Sequence, residues 1–170
     1  MAEALDPILP SDIDELTQAV LEAACARELT LATAESCTGG LLASLLTDVP
    51  GCSQAFERGF LVDTDAAKID LLGVSPSFLP HGGAVSQSTA IAMAEGAILR
   101  SNADVAVSIT GWAEGASDPD RPVGLVHFAC ARRGGYTHHR QARFGDIGRG
   151  PLRIACLRVA LKMLRQALEL

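Results

Sequence analysis

Glu35-Ser36-Cys37-Thr38-Gly39-Gly40 gathers a carboxylate, two hydroxyls and a thiol immediately ahead of two glycines. The glycines let backbone N–H groups approach an anion with no Cβ in the way. Ser36 is a candidate nucleophile, and an unassisted hydroxyl needs a base within hydrogen-bond reach. The alternative is that Ser36 only caps a following helix through its Oγ. Glu35 and Thr38 carry the same ambiguity. Cys37 reads as a small packed hydrophobe, although a helix N-terminus would lower its pKa.

Lys68 is the second candidate. It falls early in a short helical run with apolar neighbours, where the helix dipole disfavours a cation. Desolvated there, its pKa would fall and it could act as a base. The alternative is an exposed lysine paired with Asp65 or Asp70. Thr110-Gly111 ends a third apolar run, in the same structural slot as the Ser36 loop. Arg143, Arg149 and Arg153 could grip a phosphate by bidentate hydrogen bonds, or stand as solvated surface residues. His138 and His139 are adjacent on a predicted strand, so they point to opposite faces. His127 and His81 have no partner at metal-ligand spacing, so no metal is expected.

These residues need a scaffold that brings loop ends together. Ser11 can cap a helix whose apolar stripe is Leu16, Ala19, Val20, Ala23 and Ala24. A strand over Leu29 to Ala34 feeds the Ser36 loop, and a helical run from Leu41 to Leu46 leaves it. A strand over Phe56 to Val62 precedes a helix over Ala66 to Leu72, capped by Thr64 or Asp65 and ended by Gly73. Ser86 or Ser88 opens a longer helix, and Val105 to Ile109 reads as a strand covered on both faces. Val123 to Ala131 and Tyr136 to Phe144 suggest a hairpin turning at Arg132-Arg133-Gly134-Gly135. Pro151 suits the first turn of a final helix lined by Leu152, Ala155, Val159 and Met163. Together these predict an α/β fold with a mixed sheet and helices on both faces. Strand ends that open helices build ligand sites outside the carboxyl edge of such a sheet.

The chain has 170 residues and is 48% apolar, which suits a single domain over 1–170 behind a poorly ordered lead-in at 1–10. A net charge of −6 argues against nucleic acid and anionic membrane as partners, because both favour a basic face. Five cysteines without a Cys-x-x-Cys pair, and a start without a basic, apolar leader, predict a cytoplasmic protein with free thiols.

Thr33-Ala34-Glu35-Ser36-Cys37-Thr38-Gly39-Gly40, Phe56-Glu57-Arg58-Gly59-Phe60, Ala67-Lys68, Leu72-Gly73-Val74, His81-Gly82, Gly83-Ala84-Val85-Ser86, Met93-Ala94-Glu95-Gly96 and Pro122-Val123-Gly124-Leu125 occur in that order. Together they closely resemble the CinA C-terminal domain family, the nicotinamide-nucleotide amidohydrolases. The resemblance runs from about Leu16 to the final helix and fits the stand-alone form, without the molybdopterin-binding-like domain of longer members. It implies a three-layer α/β/α sandwich with a mixed, mostly parallel sheet. The activity it implies is deamidation of nicotinamide mononucleotide to nicotinate mononucleotide and ammonia, with Ser36 as nucleophile and Lys68 as base. It implies no metal or organic cofactor, a small-molecule nucleotide substrate, and a homo-oligomer, dimeric or larger. The substrate would be bound by Glu35, Thr38, Gly39, Gly40, Asp63, Thr110, Gly111, Arg149 and Arg153, with an oxyanion held near Thr38-Gly39-Gly40.

Three stretches depart from the family pattern. A Tyr-Ser/Thr-Asn run is replaced by Asp63-Thr64-Asp65. An Ile-Ala-Gly-Pro-Gly-Gly run becomes Trp112-Ala113-Glu114-Gly115-Ala116-Ser117, and a Gly-Asp-Arg run becomes Gly145-Asp146-Ile147. Each change adds negative charge or bulk, or removes positive charge, and so weakens binding of an anionic phosphate. Asp63 is expected to pair with Lys68 and raise its pKa. Beside the amidohydrolase stand two other readings: a diverged ligand-binding or interaction module, and an amidase acting on a different amide.

Overall fold

The structure, a computed structural model of the chain, describes residues 9–115 and 119–169. Most of the expected lead-in and the 116–118 part of the Trp112 loop, Ser117 included, lie outside the described residues. The elements are α1 (Ser11–Ala26), β1 (Leu31–Glu35), α2 (Leu41–Leu46), β2 (Phe56–Leu61), α3 (Asp65–Leu72), α4 (Gln87–Leu99), β3 (Val105–Gly111), β4 (Leu125–Arg132), β5 (Thr137–Arg143) and α5 (Arg149–Glu169). One five-stranded sheet has the order β2-β1-β3-β4-β5. β1 pairs in parallel with β2 and β3, and β4 pairs antiparallel with β3 and β5. Four of the five strands therefore share one direction, and the sheet is mixed as expected.

Helices cover both faces. One core layer joins α1, α2 and α5 to the sheet through Val107, Ile109, Val126 and Phe128. The other packs α3 and α4 on Ala32, Ala34, Ala106 and Ala129. The alanines on that second face let α4 lie close to the strands.

Two helices turn a different face inward than their first-pass stripes suggest. In α5 the expected Leu152 and Met163 are buried, together with Cys156, Leu157, Ala160, Leu161, Leu164, Ala167 and Leu168, while Ala155 and Val159 are only half-buried. Each fully buried leucine is worth roughly 1.5–3 kcal/mol, so the leucine-rich face wins over the alanine and valine. In α1 the buried set is Ile13, Thr17, Val20, Leu21 and Ala24. Thr17 fits there because its hydroxyl donates to the Ile13 carbonyl at 2.7 Å. Ser11 does not cap α1, because Pro10 holds the N-cap position without a side-chain bond.

The caps nearest the site follow the sequence closely. Thr64 Oγ1 accepts from the Ala67 N–H at the start of α3, and Gly73 closes that helix at φ 68°. Ser86 Oγ accepts from the Thr89 N–H to open α4. The carboxyl ends of β1, β2 and β3 lie along one edge of the sheet, with β1 between the other two. β1 leads to β2 through α2 on one face, and β2 leads to β3 through α3 and α4 on the other. Such a reversal opens a crevice beside β1.

Candidate active site

Ser36 follows the last residue of β1, and its N–H donates to the Ile109 carbonyl at 3.0 Å, extending the β1–β3 ladder by one bond. The serine is thus held by the sheet before the loop turns away. Its side chain does not cap α2. Glu35 does that work: its carboxylate accepts from the N–H groups of Leu42 (3.1 Å) and Ala43 (2.8 Å) and from the Thr38 hydroxyl (2.6 Å). A carboxylate at a helix N-terminus satisfies donors that would otherwise have no partner. Glu35 and Thr38 are both 1% exposed and do not line the cavity beside Ser36. Their side chains are engaged in a structural role, and the capping alternative for Ser36 falls with it.

Lys68 is in the first turn of α3 and only 2% exposed. Its Nζ lies 3.4 Å from Ser36 Oγ, 3.2 Å from the Val62 carbonyl and 3.2 Å from the Asp63 carbonyl. The exposed-lysine alternative is excluded. Burial pushes the Lys68 pKa down, outweighing the opposing pull of Asp65, Asp63 and Cys37. The expected Asp63–Lys68 ion pair does not form; Lys68 meets the Asp63 main chain, and the net shift is downward rather than upward.

Both protonation states of Lys68 fit these three contacts. As an ammonium Lys68 donates to all three oxygens; once deprotonated, two hydrogens would serve the Val62 and Asp63 carbonyls and leave a lone pair for the serine hydroxyl.

Ser36, Cys37, Asp63, Asp65, Lys68, Thr110, Gly111, Trp112, Glu114 and Arg149 are among the residues around a cavity of about 310 Å³. The Ser36 loop and the Thr110-Gly111 strand end form two of its walls. Thr110 Oγ1 donates to the Ala84 carbonyl at 2.7 Å, tying β3 to the segment that leads into α4. Trp112 brings an aromatic ring to the cavity, with the Arg121 guanidinium 5.2 Å from its ring centroid. The indole N–H is buried without an acceptor among the described residues.

The three arginines are not gathered on one anion site. Arg149 reaches the cavity but is ion-paired with Glu114. Arg153 donates through Nε to the Cys37 carbonyl at 3.0 Å, and its guanidinium packs on Gly39, which has φ 65°. It braces the loop from behind, and Arg143 lies exposed on β5. Gly39 N–H is taken by the Ser36 carbonyl at 3.1 Å, so it cannot serve an oxyanion. Gly40, at φ 89°, is the N-cap of α2.

Two contacts were not legible in the sequence. Cys37 and Cys156 share a thiol hydrogen bond that pushes the Cys37 pKa down and the Cys156 pKa up, and both remain free thiols. His127, which has no partner at metal-ligand spacing in the sequence, lies 2.9 Å from His139 across the β4–β5 pair. Cross-strand register decides that contact, and nothing in the linear spacing signals it. Among the described residues, no three His, Cys, Asp or Glu side chains cluster as metal ligands. A separate cavity of about 400 Å³ between β5 and α5, lined by His138, Arg140, Met163 and Gln166, contains neither Ser36 nor Lys68.

Residues 13–168 match the family model described as CinA C-terminal domain. The chain belongs to the CinA C-terminal domain family. A CinA-like protein of Akkermansia muciniphila is 50% identical over 123 residues, 72% of this chain and 30% of the relative. A CinA-like protein of Chlorobium phaeovibrioides is 44% identical over 161 residues, 91% of this chain and 37% of the relative. The chain thus spans about a third of the length of these relatives. Among solved structures, the competence/damage-inducible protein CihA of Agrobacterium tumefaciens superposes with a TM-score of 0.91 at 46% identity, covering 96% of this chain and 99% of that one. A CinA superfamily protein of Escherichia coli gives a TM-score of 0.84 at 37% identity, covering 91% and 90%. The CinA fold is therefore the fold of this chain.

Proposed function

We propose that this CinA domain is a serine amidohydrolase acting on the carboxamide of an N-ribosylated nicotinamide, with nicotinamide mononucleotide as the reference substrate. The observation that carries the reading is the placement of Lys68 Nζ, buried, held by two main-chain carbonyls and 3.4 Å from Ser36 Oγ. A structural lysine gains nothing from losing water at a helix N-terminus, whereas a base gains a lowered pKa.

In the reaction, Ser36 Oγ attacks the carboxamide carbon while Lys68 accepts the hydroxyl proton. The resulting oxyanion is held by main-chain N–H groups of the turn after Ser36, those of Cys37 and Thr38. Collapse breaks the C–N bond, and Lys68 returns the proton to the departing nitrogen, which leaves as ammonia. Water then attacks the ester carbon and Lys68 takes its proton; the tetrahedral intermediate collapses by breaking the bond to Ser36 Oγ, Lys68 returns the proton to that oxygen, and the acid product leaves as its carboxylate.

A second reading is a binding module without turnover, favoured by the Glu114–Arg149 pair that already neutralises the cavity's arginine. The test is to incubate purified protein with nicotinamide mononucleotide and measure both ammonia and nicotinate mononucleotide, with Lys68→Ala as control. Stoichiometric appearance of both products supports the hydrolase. Thermal stabilisation by the nucleotide with no ammonia supports the module.

A further inference from the structure

We infer that this site selects a cationic pyridinium carboxamide without a phosphate over its phosphorylated counterpart; the inference rests on the reading of the Ser36–Lys68 cavity as the reaction centre. The charged groups around the cavity decide it. Asp63, Asp65 and Glu114 supply three carboxylates, and of the described residues that line the cavity only Lys68 and Arg149 bring basic nitrogens; the Arg121 guanidinium lies against the Trp112 ring. Lys68 and Arg149 are each already engaged by groups of the protein. The three close contacts of Lys68 Nζ are all made inside the protein, to Ser36, Val62 and Asp63. Arg149 is held by Glu114. Arg153, the next arginine along α5, faces the back of the loop and holds the Cys37 carbonyl.

A phosphate dianion entering here meets the carboxylates of Asp63 and Asp65, while Arg149, whose guanidinium fork is the group best shaped to bind it, is engaged by Glu114. A pyridinium ring meets the opposite field. Its positive charge is drawn by the same carboxylates, and its flat face suits the Trp112 indole on the cavity wall. The Arg121 guanidinium, 5.2 Å from that ring centroid, shows that the indole already accepts a flat cation. The indole N–H, buried without an acceptor among the described residues, remains as a donor for a polar group of the ligand. A carboxamide on a cationic ring therefore satisfies the site, and the phosphate adds repulsion.

The experiment compares nicotinamide riboside with nicotinamide mononucleotide on the same wild-type preparation. Ammonia release should give a kcat/KM at least tenfold higher for the riboside. Asp63→Asn combined with Glu114→Gln should shrink that ratio at least threefold, and so should raising the salt from 50 to 500 mM, because the discrimination is electrostatic. Using a ratio of two substrates on one protein removes any general loss from imperfect folding. An equal or higher kcat/KM for the mononucleotide overturns the inference and leaves the hydrolase reading intact. Should neither compound release ammonia, the hydrolase reading fails, and thermal shifts of the Ser36→Ala protein still decide the inference. A larger shift with riboside than with mononucleotide upholds it. An equal or larger shift with the mononucleotide, or no shift with either, overturns it.

Discussion

At the scale of single residues, two side chains that look interchangeable in the sequence divide the work. Ser36 and Glu35 could each have capped α2, and the structure gives the cap to the carboxylate. A carboxylate can accept from several donors at once, and here it takes Leu42, Ala43 and Thr38 together. The serine is thereby left to Lys68. Glu35→Ala should cost about 2–3 kcal/mol in urea unfolding, since it strands one buried and one part-buried N–H donor of the helix; a loss below about 0.5 kcal/mol would contradict the assignment. The depressed Lys68 pKa fixes the pH profile. Only the unprotonated amine can take the serine proton, so ammonia release should rise with pH and level off below the ordinary lysine value near 10.4. Asp63 and Asp65 hold that pKa up against burial, so Asp65→Asn should move the rising limb to lower pH. No movement, or a shift to higher pH, would contradict the role given to Lys68. The residue types at this site were legible from their spacing and from the family resemblance. Their partners were not. Asp63 meets Lys68 through its carbonyl, and Arg153 turns behind the loop, because backbone path and helix rotation set those contacts.

Elements carry the site by their ends. β1 delivers Ser36, α3 delivers Lys68, and the end of β3 supplies the opposing wall. The helix and strand runs were legible because periodicity and caps agreed at Thr64, Gly73 and Ser86. The inward faces of α1 and α5 were less so, since sequence stripes do not weigh leucine area against alanine area. The α3–α4 contact has a tight point that tests this scaffold. A Cβ at Gly96 in α4 would collide with the Leu72 carbonyl oxygen at the end of α3. Gly96→Ala should therefore cost about 1–3 kcal/mol and push α3 outward, lowering ammonia release by more than the loss of folded protein explains. Activity per folded molecule unchanged from wild type would show that α3 does not set the Lys68 position.

For the whole molecule, charge and acidity are the relevant quantities. No helix among the described residues is long and apolar enough to cross a membrane. The His127–His139 contact couples the β4–β5 pair to pH. Burial, with help from His139 and Arg143, pushes the His127 pKa down to about 4, against about 6.5 in an unfolded chain. Between these values the unfolded chain holds a proton at His127 that the native protein lacks. Stability should therefore fall as the pH drops from about 6.5 towards 4. His127→Gln should flatten that part of the urea-midpoint profile; an unchanged slope would contradict the shift. This pairing was invisible in the sequence because it depends on register between two strands. The mixed sheet itself followed from the order of helical and extended runs.

The central claim is that Ser36 is the nucleophile and Lys68 its base. Its most direct test is the rate of ammonia release from nicotinamide mononucleotide or riboside by Ser36→Ala, against wild type with a matched urea midpoint. Loss of a nucleophile should lower the rate by about a thousandfold or more. A Ser36→Ala protein that retains more than a tenth of the wild-type rate would contradict the account.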